Sequence, residues 1–394
     1  MKFDSQTYLL SEATGHGNRL ILAGIVVIVL SALGYFIDSA QFYFSYLVAY
    51  VFWVSVGLGA LFFVMLQHLT GAVWSIVLRR LTESIMIALP FMFILFLPLA
   101  FGMHDLYHWS RSEVVQQDAL ISQKTGYLNI PFFLVRTAIY FASWFLIARK
   151  LFKTSIEQDQ KPDGSQIAAM RKVSGPGMVV FALTTSFAAF DWLMSLDAHW
   201  FSTIFGLYFF AGGFLAALAG VTLIGILLAK RNILKDIITT EHYHDLGKLL
   251  FGFTIFWGYM AFSQYFLIWY ANIPEETIWY AHRWEGSWKI FSLTLVFGHF
   301  LIPFLLLMAR ASKRNLTLLG LLTAWILIMH WIDLYWITMP VHHHHGIHLS
   351  WLDFTLLIGM GAVFLGIFWR YFSSNPLVPV GERDLDHSIQ FSNN

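Results

Sequence analysis

Ten times in 394 residues the chain runs for about twenty positions with almost no charge, and this repetition constrains its fold more than any motif. A helix needs about 20 mostly apolar residues to cross the ~30 Å hydrocarbon core of a bilayer, and its backbone must satisfy itself internally there. The runs occupy residues 19–37, 42–67, 83–102, 128–149, 176–197, 201–229, 248–271, 287–309, 316–339 and 350–371, and are numbered helices 1 to 10. Residues 68–80 read as either a helix extension or an interfacial piece, which makes nine and eleven the alternative counts. The sequence therefore predicts an all-α integral membrane protein of about ten transmembrane helices.

Composition agrees. Hydrophobic residues make up 58% and charged residues 12% of the chain, against roughly 25% charged in soluble domains; mean hydropathy is +0.64. A net charge of +1 gives no electrostatic case for a nucleic-acid partner. Cysteine is absent, which excludes cysteine-ligated iron–sulfur clusters, thioether-linked c-type haem and disulfides from these residues. The first ~18 residues are polar, and Leu20–Phe36 exceeds the ~7–15-residue core of a secretory signal, so helix 1 is expected to be retained. The polar stretches 103–127, 150–175 and 372–394 are loop-sized.

Charge asymmetry sets an expected orientation. Nineteen of the 24 Lys and Arg fall on the side of the N-terminus; the opposite loops and helix starts carry Arg111, Lys124, Arg283 and Lys289, and Arg136 lies inside a helix. By the positive-inside rule both termini are expected in the cytoplasm. The opposite loops contain His104–Ser110, Asp197–Ser202, Asn272–Trp288 and Pro340–Trp351, rich in Trp, Tyr and His. Interfacial aromatics are ordinary membrane anchors, but so many histidines beside Glu275 and Glu276 suggest a surface that meets another protein or a cofactor head group.

Helices 2–5 and 6–9 resemble two copies of one unit. Phe44-Ser45 matches Phe201-Ser202, Ala60-Leu61 matches Ala217-Leu218 at the same offset, and Phe190-Asp191-Trp192 matches Ile332-Asp333-Leu334. Four helices per unit preserve orientation, so these are parallel repeats. The expected organisation is 1–41 (N-terminal segment and helix 1), 42–200 (first four-helix bundle), 201–345 (second bundle) and 346–394 (helix 10 and tail).

Asp191 and Asp333 are the chemically informative positions. Each lies toward the same end of an apolar run, where an unpaired carboxylate costs a few kcal/mol and marks function by default. Arg136 lies roughly 10–12 Å into helix 4 at 1.5 Å per residue, close to the depth of Asp191. A pair between them would offset much of each burial cost, whether it relays protons or only locks the bundle. Helix 9 carries His330 three residues before Asp333, on one face, and helix 8 offers His299 somewhat deeper. Imidazole beside carboxyl can pass protons, so Arg136, Asp191, His299, His330 and Asp333 form the candidate relay set. A lone intramembrane histidine is more often a satisfied interhelical contact, and His299 with His330 at unequal depths is a poor pair for b haem. At the basic side His68 and Glu83 are candidates for an inner proton mouth; Glu83 is expected to open helix 3 after Arg79-Arg80, where a helix N-terminus suffices to explain an acid. His342, His343, His344, His345 and His348 suggest metal by composition but lack regular ligand spacing.

Several stretches carry a family resemblance. Phe190-Asp191-Trp192-Leu193-Met194-Ser195-Leu196 is followed by His199-Trp200-Phe201-Ser202-Thr203-Ile204-Phe205-Gly206. Further on come Asn272-Ile273-Pro274-Glu275-Glu276-Thr277, Arg283, Trp288 and the run Gly346–Asp353. Together they resemble the ActF-type subunits of bacterial alternative complex III, a quinol:cytochrome c oxidoreductase, within the NrfD/PsrC-like membrane family. The resemblance spans essentially the whole chain. It implies two four-helix bundles with flanking helices, a place in the bacterial inner membrane, and partners. These are a paralogous membrane subunit, an iron–sulfur subunit and cytochrome c subunits, with a terminal oxidase as a further associate. It implies no covalent cofactor here, with menaquinone or another quinone, or lipid, as the non-covalent ligand, and quinol oxidation mainly at the paralogue. Arg136, Asp191, His330 and Asp333 come from depth and residue type, not from the family. The rival functions are a secondary transporter with parallel repeats and a purely structural scaffold. Pro90 and Pro98 in helix 3 have no counterparts in helix 7, which has Gly252 and Gly258 instead, and this lack of matched helix breaks counts against transport.

Overall fold

The computed structural model describes residues 9–10, 14–161 and 164–392, and among them there is no strand. Ten helices are long and apolar enough to cross a membrane: α1 (Gly15–Phe36), α2 (Ser39–Thr70), α3 (Val73–Phe101), α4 (Ile130–Gln160), α5 (Ser165–Leu196), α6 (Phe205–Lys230), α7 (Thr240–Ala271), α8 (Trp288–Met308), α9 (Leu316–Val341) and α10 (Trp351–Ser373). Residues 73–80, left open by the sequence, extend α3, so the count is ten.

Local sequence explains the helix starts. Asp38 caps α2 by accepting the Gln41 N–H at 3.0 Å, and Asn129 caps α4 through the Phe132 N–H at 2.9 Å. Asn315 accepts the N–H groups of Thr317 and Leu318 at the start of α9. Ser350 and Asp353 form a reciprocal capping box on α10. Asp353 also accepts the Ser45 hydroxyl at 2.6 Å, so the same carboxyl ties α10 to α2.

The bundle is organised around α2 and α6, the two most enclosed helices. They cross where neither has bulk: a Cβ on Gly59 would lie 2.4 Å from the Ala217 Cβ and 2.7 Å from the Gly213 carbonyl oxygen. Lipid tails are as apolar as Leu, so helices in a bilayer associate through such close backbone contact and interhelical hydrogen bonds. Around this crossing α2 packs on α3, α5, α9 and α10, and α6 packs on α5, α7 and α9, while α4 lies on α5 and α8 on both α7 and α9. Helix α1 rests on α10 through glycines seven apart on each: a Cβ on Gly17 would approach the Gly366 carbonyl at 2.8 Å, and one on Gly24 the Gly359 carbonyl at 2.5 Å.

Two membrane helices are irregular. Pro90 divides α3 into Ile76–Met86 and Met92–Phe101, joined by a 3₁₀ turn. In α8 the segment Leu295–Leu301 is a π-helix, in which the Ile302 N–H reaches back to the Phe297 carbonyl. Pro303 follows and donates no hydrogen bond. The Gly298 carbonyl that this shift releases accepts the Trp325 indole N–H at 2.8 Å.

The glycine crossing is testable. Gly59→Val should lower the thermal stability of the purified protein by an amount corresponding to about 1–3 kcal/mol, as overpacking does. Gly252→Ala, whose Cβ meets nothing within 4 Å, should leave it unchanged or raise it by up to about 1 kcal/mol. Equal melting of both variants would refute the close-packed crossing.

Candidate functional site

The two acids that stand out in the sequence occupy differently built sites. Asp191, in α5, is saturated. Arg136 of α4 donates to it twice, Nε to Oδ2 at 2.8 Å and Nη2 to Oδ1 at 2.9 Å, and the Tyr140 hydroxyl donates to Oδ2 at 2.6 Å. The remaining guanidinium nitrogen donates to the Tyr127 carbonyl at 2.9 Å, and the plane stacks 3.8 Å from the Tyr127 ring centroid. A fork-shaped guanidinium on a carboxylate is a strong pairing, and every side-chain nitrogen and oxygen of the two groups has a partner. The sequence brought these two together by depth alone, and the structure joins them.

Asp333, in α9, has no cation. It accepts the Tyr208 hydroxyl from α6 on Oδ1 and the Trp257 indole N–H from α7 on Oδ2, the latter at 3.1 Å. Trp257 in turn stacks on His299 of the π segment, with ring centroids 3.9 Å apart. His299 is fully buried, and neither ring nitrogen has a hydrogen-bond partner. His330 does not bond to Asp333. Its Nε2 lies 2.8 Å from the Ser55 hydroxyl across the α2–α9 contact, and its Nδ1 is unpartnered. Gly212 keeps this region open: a Cβ there would contact both the His330 ring at 3.3 Å and Trp257 at 3.5 Å. The structure thus gathers His299, His330 and Asp333 around Trp257 and leaves Arg136 and Asp191 in the other half of the molecule.

A cavity of about 830 Å³ lies against this cluster, between α7, α8 and the short helix Pro274–His282. Tyr208 and Trp257 form part of its wall, and Asp333 sits immediately behind them. Most of the lining is aromatic or aliphatic; its polar members include Gln264, Asn272, Thr277, Tyr280, Arg283 and Ser292. Gln264 accepts from Ser202 at 3.1 Å and donates to the Tyr280 hydroxyl at 3.1 Å. Arg283 is buried without a carboxylate in contact. It donates to the carbonyls of Trp279, Trp336 and Ile337 and stacks 3.3 Å above the Trp279 ring. Burial lowers its pKa, and Asp197 is the first group acting in the opposite direction. Exposed Tyr259, Phe262, Tyr265 and Trp269 stand on the outward face of α7 beside the opening.

The histidine-rich loops are knitted together. The Trp288 indole donates to the His343 carbonyl at 2.7 Å, and Ser287 Oγ accepts the Ile347 N–H at 2.7 Å. Gly286 has φ +51°, and a Cβ on it would lie 2.2 Å from the His345 carbonyl oxygen, so a side chain there would force the loops apart. His343 lies 2.6 Å from the Gln41 side-chain oxygen; burial, with help from His342 and His348, lowers its pKa to about 4. It is therefore neutral near pH 7. Among the described residues no three His, Asp or Glu side chains are placed to hold one metal ion; the His343 ring packs on those of His342 and His348, with centroids 4.2 and 4.9 Å away.

At the basic face the structure departs from expectation. Glu83 does not open a helix: it lies in the last turn of Ile76–Met86, wholly buried, and His68 is buried at the end of α2. The reason is the upstream extension of α3, which places Arg79, Arg80 and Glu83 inside the bundle.

Tyr208, Trp257, Gln264, Tyr280 and Arg283 were not assigned to a site from sequence. Gln264, an uncharged polar residue in an otherwise apolar run, was the available signal; Tyr208 and Trp257 look like any other membrane aromatics until their hydrogen bonds are known. No protein-family model matches the chain, and no curated protein is similar to it.

The saturated pair yields a clear expectation. Asp191→Asn should cost about 3–5 kcal/mol by stranding the Arg136 charge, seen as poor yield of folded protein. The double replacement Arg136→Met with Asp191→Leu should recover most of that yield. Failure of the double variant to recover, with both chains inserted in the membrane, would mean that the pair does more than lock α4 to α5.

Proposed function

We propose that this chain is an integral membrane subunit of a respiratory quinol:electron-acceptor oxidoreductase complex, of the alternative complex III kind, and that its second bundle supports quinol oxidation by binding the quinol and taking up a proton. The observation that carries this reading is the position of Tyr208. Its hydroxyl stands in the wall of a lipid-sized, aromatic cavity and donates to a buried carboxyl on the other side.

Apolar walls with a few convergent polar groups are what a small amphipathic ligand requires. A quinol ring would lie among the aromatics, with Gln264 and Tyr280 near its oxygens and its isoprenoid tail leaving along α7. Oxidation of a quinol to the quinone releases two electrons and two protons. As the head-group hydroxyl gives up a proton, Tyr208 accepts it and passes its own to the Asp333 carboxylate, so Tyr208 ends unchanged and Asp333 becomes the acid. The Arg283 charge at the far wall favours the oxygen that is losing its proton. The electrons leave to metal centres on partner subunits, an iron–sulfur subunit and cytochrome c subunits, in keeping with the absence of cysteine here. His299 and His330, the next protonatable groups beyond Asp333, take the first proton onward, so that Tyr208 and Asp333 pass the second by the same steps.

The first bundle supports a different role within the same complex. Because Asp191 is saturated by Arg136 and Tyr140, we assign this pair to holding the helices together rather than to proton traffic. The repeat reading draws support from the packing, in which α2 contacts α5 as α6 contacts α9, and α2 contacts α9 as α6 contacts α5. The charge asymmetry supports cytoplasmic termini in a bacterial inner membrane.

The gently solubilised protein should co-purify with haem c and iron–sulfur partners and with quinone. Asp333→Asn and Tyr208→Phe should each leave that assembly intact and slow quinol-dependent reduction of the acceptor by about 10²-fold, the usual scale for losing a positioned proton acceptor. Unchanged turnover in both variants would sink the proton role. A colourless, quinone-free chain without partners would sink the complex.

A further inference from the structure

Five charged side chains close the basic end of the first bundle, and their charges do not cancel. Arg79 and Arg80 of α3 face three acids: Glu83 on the same helix, Asp159 near the end of α4, and Glu382 in the segment that follows α10. Arg79 Nη1 donates to Glu382 Oε2 at 2.7 Å, Arg80 Nη2 to Asp159 Oδ2 at 2.7 Å, and Arg80 Nη1 to Glu83 Oε2 at 3.0 Å. Every one of these side chains is at most 8% exposed. The other groups facing the cluster are neutral or outside it. Ser155 donates to Glu83 Oε2 at 2.9 Å, Gln158 to Glu382 Oε2 at 3.0 Å, and the Gly381 N–H to Asp159 Oδ1 at 3.1 Å. From α2 and α5, His68 is buried and exposed Arg171 donates to the His68 carbonyl. Arg383 is exposed, and its guanidinium lies against Gly164.

Two guanidinium groups against three carboxylates leave one negative charge in a site closed to water, an arrangement that one bound proton relieves. One atom is placed to carry it. Glu83 is 0% exposed; its Oε2 is occupied by Arg80 and Ser155, and its Oε1 has no partner at all. Ionised, that oxygen would be a buried bare charge, whereas in the acid form it carries the hydrogen.

The route from this oxygen to solvent is covered by the segment 375–392. Gly381 sits so close to α4 that a Cβ on it would lie 2.0 Å from the Gln158 carbonyl oxygen. Beyond it Val378, Leu385 and Ser388 are buried. The Ser388 hydroxyl donates to the Trp74 carbonyl at 3.1 Å and accepts the Val77 N–H at 3.3 Å, and His242 of α7 lies 2.9 Å from the Ser388 carbonyl. The segment therefore spans α3, α4 and α7 and supplies one of the three acids itself.

We propose that Glu83 is a proton-binding site, occupied at neutral pH, and that the segment 375–392 is the lid that controls exchange of this proton with the basic face. The site is separate from the cavity at Asp333 and does not depend on what that cavity binds. Lid displacement removes Glu382 and opens Asp159 and Glu83 together, so the cluster can trade a proton with water only when the lid is off.

Infrared spectroscopy of the full-length protein tests this directly, because a protonated carboxyl has a carbonyl stretch apart from the carboxylate bands. At pH 7 one such band should vanish in Glu83→Gln and persist in Asp333→Asn. Its shift on transfer to D₂O should be slow in the intact protein and at least about tenfold faster when the lid is loosened by Gly381→Val with Ser388→Ala, which leave all three acids in place. Ser388→Ala alone keeps the test decisive if the double variant does not fold. Absence of a Glu83-dependent band at pH 7 would overturn the proton site. Exchange at the intact rate in a folded lid variant would overturn the lid.

Discussion

Every polar group that enters the interior of this protein has to find its partner there, because neither lipid nor an apolar helix face will supply one. That constraint explains why the structure depends on the α2–α6 crossing. By bringing two backbones together at Gly59 and Gly213, the crossing carries α5 and α9 to their places and so sets how the polar groups on them can be met. On one side Asp191 receives a guanidinium and a phenol. On the other Asp333 receives a phenol and an indole. The first carboxyl is held by a cation and the second by neutral donors alone, and the second is the one beside the cavity.

The placement of apolar runs made the ten helices legible in the sequence, and depth counting along two of them made the Arg136–Asp191 pair legible. Both inferences use distances along one helix axis. What sequence did not convey depends on rotation about that axis and on neighbours distant in the chain. His330 and Asp333 share a face by spacing, yet the lateral packing sends the first to Ser55 and the second to Tyr208 and Trp257. The apolar run begins at Glu83 and so predicts a helix start there. Three-dimensional packing extended α3 upstream through a charged stretch, in which Arg80 and Arg79 find their partners Asp159 and Glu382 at 79 and 303 residues further along the sequence. No local pattern announces such pairings.

The two polar centres also differ in how they bear on stability. The Arg136–Asp191 pair and the Arg79–Arg80 cluster bind helices through charge, and such contacts are unforgiving of single changes. The Asp333 centre holds its carboxyl through neutral donors and borders unpartnered imidazoles on His299 and His330. Incomplete satisfaction of this kind is a common companion of chemical function.

The π segment of α8 has a consequence for how this helix tolerates changes in length. A π turn accommodates one residue more than an α turn, so the parts of α8 before Leu295 and after Leu301 are offset by one position relative to a continuous helix. Loss of a single residue from that stretch would be absorbed as regular α-helix, with both ends still facing the neighbours they face now. The residues between them would turn by up to about 100°, one α-helical step. Evolution could thus point a different side chain at Trp257 without disturbing the membrane span at either end.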